Sequence, residues 1–164
     1  LRLDRVDHIE TDLDQIVRYY RHLGARVERA ARSLPHDKFW VKPFAFGNSL
    51  GHLILHLTGN LNHYIGAQIA ATGYIRDRPL EFTDPTQHPP GQVVARFQET
   101  IELVARTIES LDDAALCVPV KDYDPIQTRF GLLLVCASHL NNHIGQMAYL
   151  VQAHGHSTNE PPLW

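Results

Sequence analysis

Cysteine is scarce in this chain. Two residues in 164, Cys117 and Cys136, are too few for a disulfide framework. Cys136 falls in the apolar run "GLLLVCA", where a small buried thiol reads as packing. Apolar runs of that length fall far short of the ~20 residues a membrane-spanning helix needs, so no membrane span is expected. An excess of one charge is missing too: 15 Lys and Arg stand against 18 Asp and Glu, for a formal net charge of −3. With no basic patch along the chain, nucleic acid is not an expected partner. The segment "LRLDRVDHIE" lacks the basic region, apolar core and small-residue cleavage site of a secretory signal, and the expected location is the cytoplasm. Missing motifs narrow the chemistry further. There is no H-E-x-x-H, no C-x-x-C, no Glu-x-x-His pair, no G-x-G-x-x-G and no Walker pattern, which removes zincin, haem-attachment, ferritin-like di-iron and nucleotide-binding readings.

What is present is helical periodicity. Val6, Ile9, Leu13, Ile16, Val17, Tyr20, Leu23 and Val27 form one stripe with a period near 3.6, which predicts a long first helix. Prolines in "PHDKFWVKPFAFG" interrupt it, and Asn48 or Ser49 offers a cap for a second helix that ends before Gly73. That second segment is apolar around most of its circumference except for a seam of His52, His56, Asn60 and His63. Such a pattern predicts a central helix with one polar line facing inward. "GYIRDRPLEFTDPTQHPPGQ", with four prolines, reads as a long connection of the kind that often forms a lid or rim. A third helix is predicted from Gln92 to Leu111, then a looped stretch or short ribbon in "CVPVKDYDPIQTRF", then a fourth helix from near Gly131 to Gly155. No repeat or dividing linker interrupts residues 1–164, so one domain is expected. The fold class that follows is all-α: an antiparallel four-helix bundle with a long crossover between the second and third helices.

Eleven histidines are the unusual component. Chance gives about 0.7 pairs at a spacing of four, and the chain has two, His52 with His56 and His139 with His143. Imidazoles four apart on a helix can converge on one metal ion, and a third ligand from a facing helix would leave a position open for water or substrate. Buried neutral histidines bonded to backbone or to Asn60 and Asn142 are the alternative. It carries a large desolvation cost when three or four imidazoles share two facing seams. His8, His22, His36, His88, His154 and His156 read as surface or loop residues without a role.

The pair "NSLGHLILHLTGN" and "HLNNHIGQMAYL" resembles the DinB-like superfamily in its second and last helices, and the likeness extends over essentially the whole chain. That family is similar in fold to bacillithiol S-transferases and mycothiol-dependent maleylpyruvate isomerases. The resemblance implies a divalent metal held by His56, His139 and His143, with His52 one turn earlier as a supporting group, substitute ligand or pocket base. It also makes a homodimer an expectation. Three imidazoles suit zinc, nickel, copper or iron, of which zinc and nickel are favoured here.

The leading expectation is then metal-dependent activation of a low-molecular-weight thiol for S-transfer. Metal-dependent hydrolysis and metal binding without turnover are the alternatives. No catalytic side chain is assigned, because no general-base carboxylate can be placed. Arg76, Arg78, Lys121 and Arg129 lie in connections able to rim the site and meet an anionic small molecule. Segments 79–90 and 118–130 are expected to form its mouth. Gln146 matches the family's "GQ" without a chemical role.

Overall fold

The computed structural model describes residues 12–154 apart from 122 and 124. Val6 and Ile9 of the first predicted stripe, and His8 and His156, lie outside the described residues. Six α-helices are present among the described residues: α1 (Asp12–Ser33), α2 (Leu50–Leu61), α3 (Leu80–Thr83), α4 (Pro90–Glu109), α5 (Asp113–Leu116) and α6 (Arg129–Ala153). No strand forms among the described residues. The predicted ribbon is a single antiparallel bridge between Pro119 and Thr128.

Four long helices make the bundle, and each buries the stripe its sequence carries. On α1 the buried residues Val17, Tyr20, Leu23, Val27 and Ala30 recur at helical spacing, with Asp12 and Asp14 at the N-terminal turn and Arg32 at the last, complementing the helix dipole. Ser49 is the cap of α2 and accepts from the His52 N–H. Proline begins α4, where its missing N–H costs nothing. Thr128 caps α6 by accepting from Gly131 N–H. After Leu61 the second helix continues as a π-helical turn, Asn62–Ala67. Ala71 at φ 53° and Gly73 at φ 76° then turn the chain into the crossover.

Cross-helix pairs fix the directions. Arg21 pairs with Glu102 and Gly24 with Gln98, so α1 and α4 run antiparallel. His56 meets His139 while Leu53 shares a groove with Leu150, so α2 and α6 do as well. Tyr20 reaches Leu133 and Arg26 reaches Asn141, which makes α1 and α6 parallel. Asn62 bonds Thr100 while Gly66 lies beside Leu103, which makes α2 and α4 parallel, as the crossover demands. Both α1 and α2 pack on α4 and on α6, so α1 lies diagonally across the bundle from α2, and α4 from α6. The core between them is apolar, with Tyr20, Phe39, Phe97, Leu57 and Ile101 among its fully buried side chains. Of the predicted polar seam of α2, His56 and Asn60 face α6 at one edge of this core.

Candidate metal-type site between α2 and α6

His56 stands on α2, and His139 and His143 on successive turns of α6. One ligand-type nitrogen from each lies within 4.8 Å of the others, an arrangement able to hold a metal ion. The rings meet edge to face, with centroids 4.5 Å apart for His139 and His143 and 5.0 to 5.1 Å for each with His56. Their second nitrogens are held. His56 Nδ1 donates to Glu81 Oε2 at 2.8 Å, and His143 Nδ1 donates to Gln146 Oε1 at 2.8 Å. Each of these bonds fixes the tautomer that leaves Nε2 with a free lone pair. His56 Nε2 and His139 Nε2 lie 3.0 Å apart, a separation at which two lone pairs repel unless a proton or cation is shared between them. Donor type, tautomers and this approach all fit a divalent ion.

Burial favours the neutral form of His139 and His143. Burial, reinforced by the neighbouring His143 and His56 rings, pushes His139 down to about 4. Burial also lowers His143, against the opposing bond to Gln146. Neutral imidazole is the form that ligates.

Glu81 is the residue sequence reasoning missed. It sits in α3, inside the crossover, and is buried against α2. Burial alone would raise its carboxyl, but hydrogen bonds from His56 and Arg76 outweigh that and hold it below the usual range. Arg76 binds it with two parallel bonds from one guanidinium edge, Nε to Oε1 at 2.7 Å and Nη2 to Oε2 at 2.9 Å. The 3.3 Å approach of Arg76 Nη2 to His56 Nδ1 is two donors converging on one oxygen. Gly59, one turn after His56, makes room for this. A Cβ there would overlap Glu81 Oε1 and lie 2.8 Å from its carboxyl carbon. The glycine in "LTGN" was the only trace of the carboxylate in the sequence.

The other candidates separate. His52 is not part of the triad: its Nδ1 lies 2.6 Å from Ser49 Oγ and its ring stands edge-on to Trp40. Burial lowers its pKa, with the Lys42 charge adding to the effect. His63 stacks against Tyr64 and contacts Gln68, away from the three nitrogens. Asn142 is exposed on α6, whereas Asn60 is buried beside the site. Gln146 gains the role the sequence left open, as acceptor for His143.

A cavity of about 310 Å³ opens beside His56 and His139. Asn60, Tyr64, Leu132, Val135 and Cys136 form its helical walls, and Arg76, Arg78 and Tyr123 its rim. Of the four rim cations expected, Lys121 and Arg129 are not among the lining residues. The crossover contributes through residues just before 79 rather than through 79–90. A groove of about 430 Å³ beyond Gln146, lined by Phe44, Phe46 and Tyr149, is larger but carries no imidazole, carboxylate or cation among the described residues. Chemistry therefore singles out the triad's cavity. Cys136 lines it as a protonated thiol, pushed up to about 12 by burial.

Fold and site together define a class: four-helix-bundle proteins with convergent imidazoles between two core helices. The family model of the DinB superfamily matches residues 12–147, and the chain belongs to that superfamily. No curated protein matches it significantly. Among solved structures it is similar to a conserved protein from Enterococcus faecalis, at TM-score 0.73 and 14% identity over 88% of this chain and 98% of that one. YfiT from Bacillus subtilis, described as a probable metal-dependent hydrolase with an unusual four-helix bundle topology, aligns at TM-score 0.72 and 18% identity over 95% of each chain. The colibactin self-resistance protein ClbS, solved in complex with a dsDNA, aligns at TM-score 0.63 and 13% identity over 88% of this chain and 98% of that one. Likeness at such identities concerns the fold. No helix among the described residues is long and apolar enough to cross a membrane.

Proposed function

We propose that this protein is a metal-dependent enzyme in which His56, His139 and His143 hold one divalent ion, zinc or nickel in preference to iron, and which activates a low-molecular-weight thiol for S-transfer. The observation that carries the reading is the triad itself: three ligand-type nitrogens within 4.8 Å, two of them with tautomers set by Glu81 and Gln146, at the wall of a cavity. When bound, the ion would act as a Lewis acid that favours the thiolate form of a thiol near neutral pH. The chain's own residues do the rest. Glu81 and Gln146 orient two of the imidazoles. Leu132 and Val135 give the cavity a partly dry wall, and the rim residues meet the polar end of the small molecule. Cys136 stays protonated at neutral pH, so the nucleophilic sulfur belongs to the bound thiol and not to the protein.

Hydrolysis is the second reading, and the description of YfiT as a probable metal-dependent hydrolase favours it. The net charge of −3 supports a small molecule over nucleic acid as partner, although ClbS shows this fold beside dsDNA. One domain over 1–164, a cytoplasmic location and a homodimer complete the proposal. The dimer is supported by exposed Tyr19 and Leu134 along the α1–α6 groove.

Elemental analysis of protein purified without added metal, then parallel screens of thiols with electrophiles and of esters and amides, tests the reading. Metal-dependent thiol consumption supports S-transfer. Metal-dependent ester or amide cleavage without thiol supports hydrolysis, and binding without turnover leaves a metal-binding protein. Turnover that persists after metal is stripped overturns both enzyme readings.

A further inference from the structure

The two rim arginines are not equivalent. Arg76 is mostly buried and holds Glu81 in a bidentate pair through the Nε–Nη2 edge of its guanidinium, so its charge is already matched. Arg78 lines the same cavity, lies over the Phe82 ring at 5.6 Å, and has no carboxylate partner among the described residues. Among the described residues no carboxylate lines the cavity either, so the uncompensated charge there is that of Arg78. A second observation points to a ligand. Asn60 is 7% exposed and lines the cavity, and its buried Oδ1 has no hydrogen-bond partner among the described residues. A buried amide left so is costly unless something that enters completes it.

We propose that Arg78 is the anion-recognition residue of the cavity, and that the small molecule bound there carries a carboxylate for Arg78, a hydrogen-bond donor for Asn60 and an apolar or flat body between them. The body faces Leu132 and Val135 on one side and the perpendicular rings of Tyr64 and Tyr123, 5.4 Å apart, on another. A volume of about 310 Å³ suits a metabolite-sized ligand. This assignment rests on the small-molecule reading above and is independent of its thiol chemistry.

Calorimetry on the protein as purified, with two matched probe pairs, tests it. One pair is N-acetyl-L-cysteine and its methyl ester; the other, free of thiol, is 4-phenylbutyrate and 4-phenylbutyramide. Each acid should bind about tenfold tighter than its neutral partner, as expected for one charge-assisted contact. Arg78→Gln should abolish that preference without changing metal content or the affinity of the neutral probes. Arg78→Lys should restore part of it, and Lys121→Gln, outside the lining, should leave it intact. Equal affinities within both pairs, no binding of any probe at millimolar concentration, or an acid preference that survives Arg78→Gln overturns the proposal. If the acid preference holds but the thiol pair shows no metal-dependent binding, the anion site stands and the thiol reading falls.

Discussion

His52 and His56 occupy successive turns of α2 and are both buried, yet their second nitrogens meet opposite partners. Ser49 Oγ already accepts from the His52 backbone N–H, so its hydroxyl proton is free to point at His52 Nδ1, 2.6 Å away. That leaves the proton of His52 on Nε2, the form unable to ligate through that atom. His56 instead donates from Nδ1 to a carboxylate and presents a bare Nε2. The partner of His52 comes from three residues earlier in the same turn. The partner of His56 comes from 25 residues later, through the crossover. Identical side chains on one face of one helix are thus given structural and ligand-type character by whatever reaches their far side.

The sharpest way to break this comparison is by truncation. His56→Ala, His139→Ala or His143→Ala should each largely abolish metal occupancy measured by elemental analysis, while His52→Ala should leave most of it. Loss of metal in His52→Ala with retention in His56→Ala would reverse the assignment. Glu81→Gln should come next, weakening metal affinity by roughly 10- to 100-fold, since it removes the charge that orients His56 and strands Arg76. A competition titration with a chelator reads that change, and unchanged affinity would show that His56 needs no carboxylate.

Acidification should act on stability in the metal-free protein. His52, His139 and His143 have pKa values below the ordinary 6.5 when folded, that of His139 at about 4. Between those values the unfolded chain binds more protons than the folded one, so the metal-free protein should lose stability as pH falls from about 6.5 toward 4. Denaturant melts of the stripped protein across that range check the sign, and a midpoint indifferent to pH would contradict it.

Backbone changes give smaller effects. Gly59→Ala should cost about 1–3 kcal/mol because its Cβ collides with Glu81, and it should lower occupancy as well. Gly145→Ala, with open space around it on α6, should be neutral or stabilise by up to about 1 kcal/mol. Ser49→Ala should cost about 1 kcal/mol through loss of the α2 cap. It should leave metal affinity unaltered, which is the outcome that keeps the two histidines distinct.

Much of this was legible in the sequence for definite reasons. Long stripes such as Val17, Tyr20, Leu23 and Val27 have one periodic solution, and the prolines between them left few places for helix ends. The H-x-x-x-H pair on α6 was readable because two imidazoles at that spacing must share a face. Periodicity could not separate His52 from His56, which lie on the same face by the same rule. Nor could it find Glu81, whose position depends on how a proline-rich connection folds back over α2. Asn60 and Asn142 illustrate the same limit: both lie within four residues of a histidine in sequence, and only the packing of α2 and α6 decides which faces the cavity.

The diagonal placement of α1 and α2 has a kinetic consequence. Because α1 packs chiefly on α4 and α6, its apolar stripe finds little cover in α2, the next long helix to be made. The hydroxyl of Tyr20 waits for the carbonyl of Leu133, 113 residues away. Loop closure of that length must precede the contact that rewards it, so folding should be slower than in a bundle whose consecutive helices pair. During synthesis α1 therefore spends the longest time with its apolar face uncovered, and that is the interval in which a chaperone or a misplaced second copy would find it.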